Sequence, residues 1–279
     1  MPAEQIASNL ALINWTVLAS LAIGSFALVA IARLRTAATK GYLAFAAFCA
    51  AGWGALAYVS DTGLPPISAG SPVTADPAWD GARQAALAVF TALALVTMIR
   101  VSRGRRGVVP GIAGLVAGAA VLVLGGLTWG GAPGGVAMLT LQLVVLSLAT
   151  GGVFAAMILG HWYLVTPKLP EGPLVMVSRG LVGIVALQVV LFVVWVGLGI
   201  GPGATGGPFA ALFGPWALFV WLRLLVGLVF PLVAAVAAVK VAQTRSMESA
   251  TGLLYINVGT IAAGTILAAG LYFGAGLFV

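Results

Sequence analysis

Six side chains able to bind a ligand or move a proton fall near the ends of three apolar segments. In chain order they are His161, Tyr163, Arg179, Glu248, Thr251 and Tyr255. Histidine titrates near neutral pH, and tyrosine and arginine donate hydrogen bonds. A quinone carbonyl accepts hydrogen bonds and takes up protons on reduction, so this group predicts a quinone or head-group site in which Glu248 relays protons. The competing interpretation is structural, with a capped last helix and an ion pair between Glu248 and Arg179 or Arg245.

A second polar group falls near the opposite ends of the apolar segments. It comprises Asn14, Asp61, Asp80, Gln142 and Arg223, with Arg83 and Gln84 at the start of the third segment. Arg223 lies about two turns inside the seventh segment, and a cation at that depth needs a carboxylate or several carbonyl groups as partners. We expect Asp61 or Asp80 to be that partner. The group is then either a structural ion pair or a site for an anion or carbonyl compound that faces the outer compartment.

The counts of histidine and cysteine exclude several kinds of chemistry. His161 is the one histidine and Cys49 the one cysteine. A bis-histidine haem needs two histidines, and a disulfide within the chain needs two cysteines. The sequence has no Walker loop, no Cys-x-x-Cys and no His-Glu-x-x-His motif. We therefore predict no catalytic residue, no metal site and no covalently bound cofactor, and we expect quinone and membrane lipid as the small-molecule partners.

Apolar helices must position these side chains. Hydrophobic residues make up 62% of the 279 residues and charged residues 7%, and the mean hydropathy is +1.15. A soluble protein needs far more charge at its surface. Apolar runs of about 20 residues without period-two alternation are typical of membrane-spanning helices. The predicted fold class is all-α, a polytopic integral membrane helical bundle that forms a single transmembrane domain over residues 1–279.

We predict about eight transmembrane helices. They lie at 10–33, 42–61, 82–101, 111–129, 136–165, 173–199, 216–243 and 251–278. The fourth has the weakest helical pattern, because it contains Gly125 and Gly126 and a glycine-rich stretch follows. Pro231 predicts a kink in the seventh helix. Gln188 and Asn257 lie deeper in the sixth and eighth helices, where either can bridge to a neighbouring helix.

Basic residues occur after every second span, which predicts the orientation of the chain. They are Arg33, Arg35, Lys40, Arg100, Arg103, Arg105, Arg106, Lys168, Lys240 and Arg245. The positive-inside rule places this end in the cytoplasm and both termini outside it, in a bacterial-type inner membrane. Five tryptophans near the outer ends are expected to form an interfacial belt: Trp15, Trp79, Trp129, Trp195 and Trp216. The net charge of +7 therefore reflects topology, and no basic stripe indicates a nucleic-acid partner.

Two short segments indicate an internal repeat. Ser-Leu-Ala-Ile-Gly at 20–24 resembles Ser-Leu-Ala-Thr-Gly at 147–151, and the two spans that contain them run in the same direction. Eight spans then divide into two four-helix halves, 1–130 and 131–279. The alternative is chance recurrence of small residues, which serve close helix packing in any membrane bundle.

Three functions fit this sequence. The first is a haem-free integral membrane subunit of a multi-subunit respiratory or redox complex, which anchors other membrane or peripheral subunits and binds quinone or quinol at the first polar group. The second is a transporter for a small neutral or anionic solute, favoured by Arg223, Pro231 and the repeat. The third is a structural membrane anchor or assembly factor without a ligand.

Overall fold

The protein is an all-helical bundle. The computed structural model describes residues 1–36, 38–67, 71–166, 169–204 and 206–279, and these contain no strand. The α-helices are α1 (Pro2–Ser8), α2 (Leu10–Arg35), α3 (Lys40–Thr62), α4 (Asp80–Ser102), α5 (Val108–Trp129), α6 (Pro133–Val165), α7 (Gly172–Leu198), α8 (Ala217–Leu224), α9 (Phe230–Gln243) and α10 (Met247–Ala275). Lys168, in a loop predicted to be basic, lies outside the described residues, as do residues 68–70 of the loop between α3 and α4.

Eight helices are long and apolar enough to cross a membrane, so the predicted number of spans is confirmed. Helices α8 and α9 together form the seventh span, Ala217–Gln243. The fourth span is one continuous helix in spite of Gly125 and Gly126. Local signals set several ends: the Thr39 hydroxyl accepts a hydrogen bond from the Tyr42 amide at the start of α3, and Gly199 ends α7 in a left-handed conformation.

Pro231 is preceded by an irregular turn of the seventh span. A π-helical turn over Leu225–Val229 separates α8 from α9. Proline has no amide hydrogen, so the carbonyl of Gly227, four residues earlier, loses its usual donor. Arg223 supplies one instead, with Nη1 3.3 Å from the Gly227 oxygen. The irregularity predicted in this helix is therefore a π-helical turn with a side chain bound to the freed carbonyl.

The spanning helices pack in two sets of four. In the first set, α2, α3, α4 and α5 pack in sequence, and α5 returns to α2. In the second set, α6, α7, α8–α9 and α10 do the same, and α10 returns to α6. The most heavily buried spans are α2 and α6, which pack against each other where the sets meet. Each set therefore has its first helix at the centre of the molecule.

The two similar pentapeptides face each other in the contact between α2 and α6. A Cβ atom at Gly24 would overlap the carbonyl oxygen of Ser147, and one at Gly151 would lie 2.6 Å from the Cα atom of Gly24. Ser25 Oγ donates to the carbonyl of Gly151 at 3.1 Å, and Ser147 Oγ lies 3.4 Å from Ser20 Oγ. Close helix packing in a membrane depends on such small residues. The contact gives these segments a packing role, and their origin by duplication stays a prediction.

The belt predicted for the tryptophans is wrong for three of them. Trp15, Trp129 and Trp195 are almost fully buried within the protein. Trp15 and Trp129 pack edge to face with their ring centroids 4.8 Å apart. The rings of Trp15 and Trp129 also lie against the buried guanidinium of Arg83. They therefore pack around a polar group inside the protein and do not form part of an interfacial belt.

We predict that Gly151→Ala destabilises the bundle by about 1–3 kcal/mol, because the added methyl group forces α2 and α6 apart. The matched control is Gly152→Ala, since a Cβ at Gly152 meets nothing within 4 Å. Thermal unfolding of both variants in detergent provides the measurement. Equal unfolding midpoints for the two variants would contradict the packing role of Gly151.

Candidate functional site

The first polar group lies where α6 ends and α10 begins. A Cβ at Gly160 would lie 2.7 Å from Thr251 Oγ1, so the residues flanking His161 contact the start of α10. Thr251 and Tyr163 are buried, and both use their hydroxyl groups locally: Thr251 donates to the Met247 carbonyl at 2.7 Å, and Tyr163 donates to the Pro170 carbonyl at 2.5 Å.

The remaining members of this group are exposed. They are His161, Arg179, Glu248 and Tyr255. The ion pair expected for Glu248 with Arg245 is wrong, because Arg245 Nη1 lies 3.4 Å from Glu171 Oε2 instead. Both side chains of that pair are about half exposed, so it contributes little to stability. The structure brings the helix ends together but does not bury these four side chains around a shared ligand.

The opposite end of the bundle holds a buried ion pair between α3 and α4. Arg83 binds both carboxylate oxygens of Asp61, with Nε 2.8 Å from Oδ2 and Nη2 3.0 Å from Oδ1. Its Nη1 also donates to Asp80 at 2.7 Å and to Thr128 Oγ1 at 2.8 Å. The guanidinium carbon lies 4.4 Å from the centroid of the Trp129 ring. Arg83 therefore has charge partners, hydrogen bonds and a cation–π contact.

This arrangement corrects the partners expected for Arg223. Asp61 and Asp80 bind Arg83, because the adjacent ends of α3 and α4 place these three residues at one depth. Arg223 lies on α8, in the other set of helices. The spacing of Asp80 and Arg83, three residues apart on one helix, is the sequence signal that favours this pairing.

Two further members of the second group lie apart from the ion pair. Asn14 Nδ2 donates to Ser60 Oγ at 3.3 Å, one residue from Asp61. Gln142 is buried on α6, and its Oε1 has no hydrogen-bond partner among the described residues. A cleft of about 680 Å³ opens beside the ion pair and is lined by Asp61, Asp80, Arg83 and residues of the loop after α3. Asp80, 44% exposed, connects the pair to this cleft.

Arg223 is a buried cation of a different kind. Its side chain is 2% exposed, and within the described ranges no carboxylate lies within 4.0 Å of it. Nη2 donates to Gln188 Oε1 at 2.9 Å, and Nε has no partner in the same ranges. Cβ atoms at Gly227 and Gly264 would lie 3.2 and 2.7 Å from Nη1, so two glycines leave the room that the guanidinium occupies.

The bridging roles expected for Gln188 and Asn257 are confirmed. Gln188 Nε2 donates to the Val145 carbonyl at 2.8 Å, which joins α7 to α6, while its Oε1 holds Arg223. Asn257 Nδ2 donates to the Pro231 carbonyl at 3.2 Å, which joins α10 to α9. Gln188 thus fixes Arg223 in place and connects three spanning helices.

Each set of four helices places an arginine on its third span, bound to a side chain of its second span. In the first set Arg83 on α4 binds Asp61 on α3, and in the second set Arg223 on α8 binds Gln188 on α7. The difference lies in the partner. A carboxylate neutralises Arg83, whereas a neutral amide leaves the charge of Arg223 uncompensated. Arg223 and Gln188 are therefore the candidate binding site, and below they are called the Arg223 site.

We predict that Asp61→Asn lowers the free energy of unfolding by about 3–5 kcal/mol, because it leaves a buried guanidinium without its main counter-charge. Asp80→Asn removes the partly exposed partner of the same arginine and costs about 1 kcal/mol or less. Equilibrium unfolding of both variants checks this difference. Similar losses of unfolding free energy in the two variants would contradict the prediction that the buried carboxylate of Asp61 stabilises Arg83 more than the partly exposed carboxylate of Asp80.

No protein-family model, curated protein or solved structure matches this chain. The functional argument therefore depends on the residues of the chain itself, and above all on the contrast between Arg83 and Arg223.

Proposed function

We propose that this multi-pass membrane protein binds a small anionic solute at the Arg223 site and carries it across the bilayer. The observation that supports the proposal is a buried guanidinium in a spanning helix, held by an amide and a backbone carbonyl and by no carboxylate in the part of the chain that the structure describes. An ionisable side chain at such a depth is expensive to keep without a role.

The donors of Arg223 suit an anion. Guanidinium presents its N–H groups in a planar fork, which matches carboxylates and similar oxyanions. Its Nε is buried without a partner among the described residues, and a buried donor in that state is costly. A solute carboxylate would satisfy this donor and neutralise the charge, as Asp61 does for Arg83 in the first set.

The backbone beside Arg223 favours movement of the solute. The π-helical turn and Pro231 interrupt the seventh span next to the site, and Gly227 contacts Gly264 of α10 there. Transporters place substrate sites at interrupted helices near the middle of the membrane. The Arg223 side chain is enclosed in this structure, so the solute reaches it when the helices around the turn rearrange.

We predict that Gln188→Glu lowers anion uptake about tenfold or more without unfolding the protein. The new carboxylate would pair with Arg223, as Asp61 pairs with Arg83, and compete with the solute. Arg223→Met, which removes the charge but keeps a long side chain, should also fold, because it removes a buried charge that no carboxylate neutralises among the described residues. Uptake of radiolabelled formate, acetate, nitrate and thiocyanate into proteoliposomes is measured beside thermal unfolding.

In this assay both variants should lose uptake about tenfold or more, which corresponds to the loss of one charge-assisted contact. The control is Arg179→Gln, which removes an exposed arginine from the sixth span. Wild-type protein that takes up none of the four anions, or a Gln188→Glu variant that transports like the wild type, would contradict the proposal.

The redox-subunit interpretation remains a second candidate, and an apolar groove favours it. The groove, about 430 Å³ in volume, lies between α2, α6 and α7 and is lined by Gly24, Gly152 and Gly180. Arg179 precedes Gly180 on the same helical turn. A quinone tail fits such a lining, with partner redox subunits supplying electrons. Quinone that copurifies with the wild type and is lost in a Gly180→Leu variant would support this candidate over the transporter.

The proposed setting is a bacterial-type inner membrane, with the arginine-rich ends of the spans in the cytoplasm. Eight spans bring both termini to the other side, and α1 packs against α10 there. Alkaline phosphatase fused after Val279 should therefore be active, and an inactive fusion would reverse the orientation.

A further inference from the structure

The first set of helices carries an unbalanced positive charge at one end. The cations in and beside its two short loops are Arg33, Arg35, Lys40, Arg100, Arg103, Arg105 and Arg106. Residues 5–60 and 81–170 contain no Asp or Glu. The second set differs, because Glu171 and Glu248 accompany its basic residues. The excess of positive charge is therefore greatest where α2 connects to α3 and where α4 connects to α5.

These two loops lie against each other. Arg33 Nε donates to the Arg106 carbonyl at 3.3 Å, which joins the end of α2 to the loop before α5. A Cβ at Gly104 would lie 3.4 Å from Lys40 Nζ. The two loops with their basic residues are thus neighbours at one end of the spanning helices, and each described salt bridge involves other residues.

A narrow apolar crevice leads from this basic surface into the bundle. Arg33 and Arg106 lie at its mouth, and Phe26, Val29 and Ile112 are among the residues that line it. Arg33 follows Phe26 by seven positions in α2, and at 1.5 Å per residue the crevice therefore extends about 10 Å along the helix. A Cβ at Gly111, which also lines it, meets nothing within 4 Å. The crevice is therefore open where this glycine lies.

We propose that this crevice binds one acyl chain of an anionic phospholipid, whose phosphate lies against Arg33 and Arg106. The apolar lining fits hydrocarbon, and the clustered cations fit the phosphate, which arginine recognises through paired hydrogen bonds. Basic pockets between spanning helices bind anionic head groups in this way. A free phosphate ion would leave the apolar crevice unfilled, so the combined lining selects a lipid. This site is independent of the Arg223 site.

Native mass spectrometry of the purified full chain, titrated with phosphatidylglycerol or phosphatidylcholine, tests this proposal. We expect the wild type to bind one phosphatidylglycerol far more tightly than phosphatidylcholine. The double variant Arg33→Gln with Arg106→Gln should lose about thirtyfold in affinity, since each basic residue near an anionic surface contributes about a factor of five. Gly111→Leu should lose about tenfold, because its side chain displaces about two methylene groups of the acyl chain.

Matched controls separate this site from general surface charge. Lys240→Gln with Arg245→Gln removes two exposed cations from the same end of the second set, and Gly259→Leu adds the same side chain at an exposed helical glycine with no atom within 4 Å. Both controls should bind phosphatidylglycerol like the wild type. Equal binding of the two lipids, equal losses in the controls, or competition by inorganic phosphate as strong as that by the lipid would overturn the proposal.

Discussion

A polar group in the hydrocarbon of a membrane can be satisfied only by the protein itself, and this constraint shapes the whole bundle. Helices form their own backbone hydrogen bonds, so the groups that still need partners are the few buried polar side chains. Arg83 meets it with two carboxylates, a hydroxyl and an aromatic face. Trp15 and Trp129 are buried against this network, and the Trp129 ring centroid lies 4.4 Å from the guanidinium carbon.

Close packing of α2 and α6 follows from a related constraint. Lipid tails are as apolar as leucine, so the hydrophobic effect does not hold spanning helices together. Contact through Gly24 and Gly151 brings two backbones near enough for dispersion forces and for the hydrogen bond from Ser25 to act. These helices are the first of each set, and their contact is one of those that join the set containing Arg83 to the set containing Arg223.

Sequence patterns predicted the architecture well and the partners of charged residues poorly. The number and bounds of the spans depend on composition along the chain, which the sequence displays directly. Pairing depends on which helix ends become neighbours and at what depth, and this information is not local. Their shared position near one end of the spans therefore predicts Asp61 and Asp80 as partners of Arg223, whereas α3 and α4 place both carboxylates beside Arg83. The bridges of Gln188 and Asn257 were predictable, because a deep amide in a spanning helix has no partner except another helix.

The same reasoning explains why the Arg223 site lies beside an interrupted helix. In a regular helix every interior carbonyl already accepts a backbone hydrogen bond. A buried guanidinium without a carboxylate could then donate only to side chains. Pro231 changes this by removing the donor to the Gly227 carbonyl, which then accepts from Arg223. The helix irregularity and the uncompensated cation thus depend on each other. A solute anion that bound Arg223 would compete with this carbonyl, so that binding would weaken the contact holding the π-helical turn. In the proposed transporter, this one hydrogen bond would link recognition of the anion to rearrangement of the seventh span.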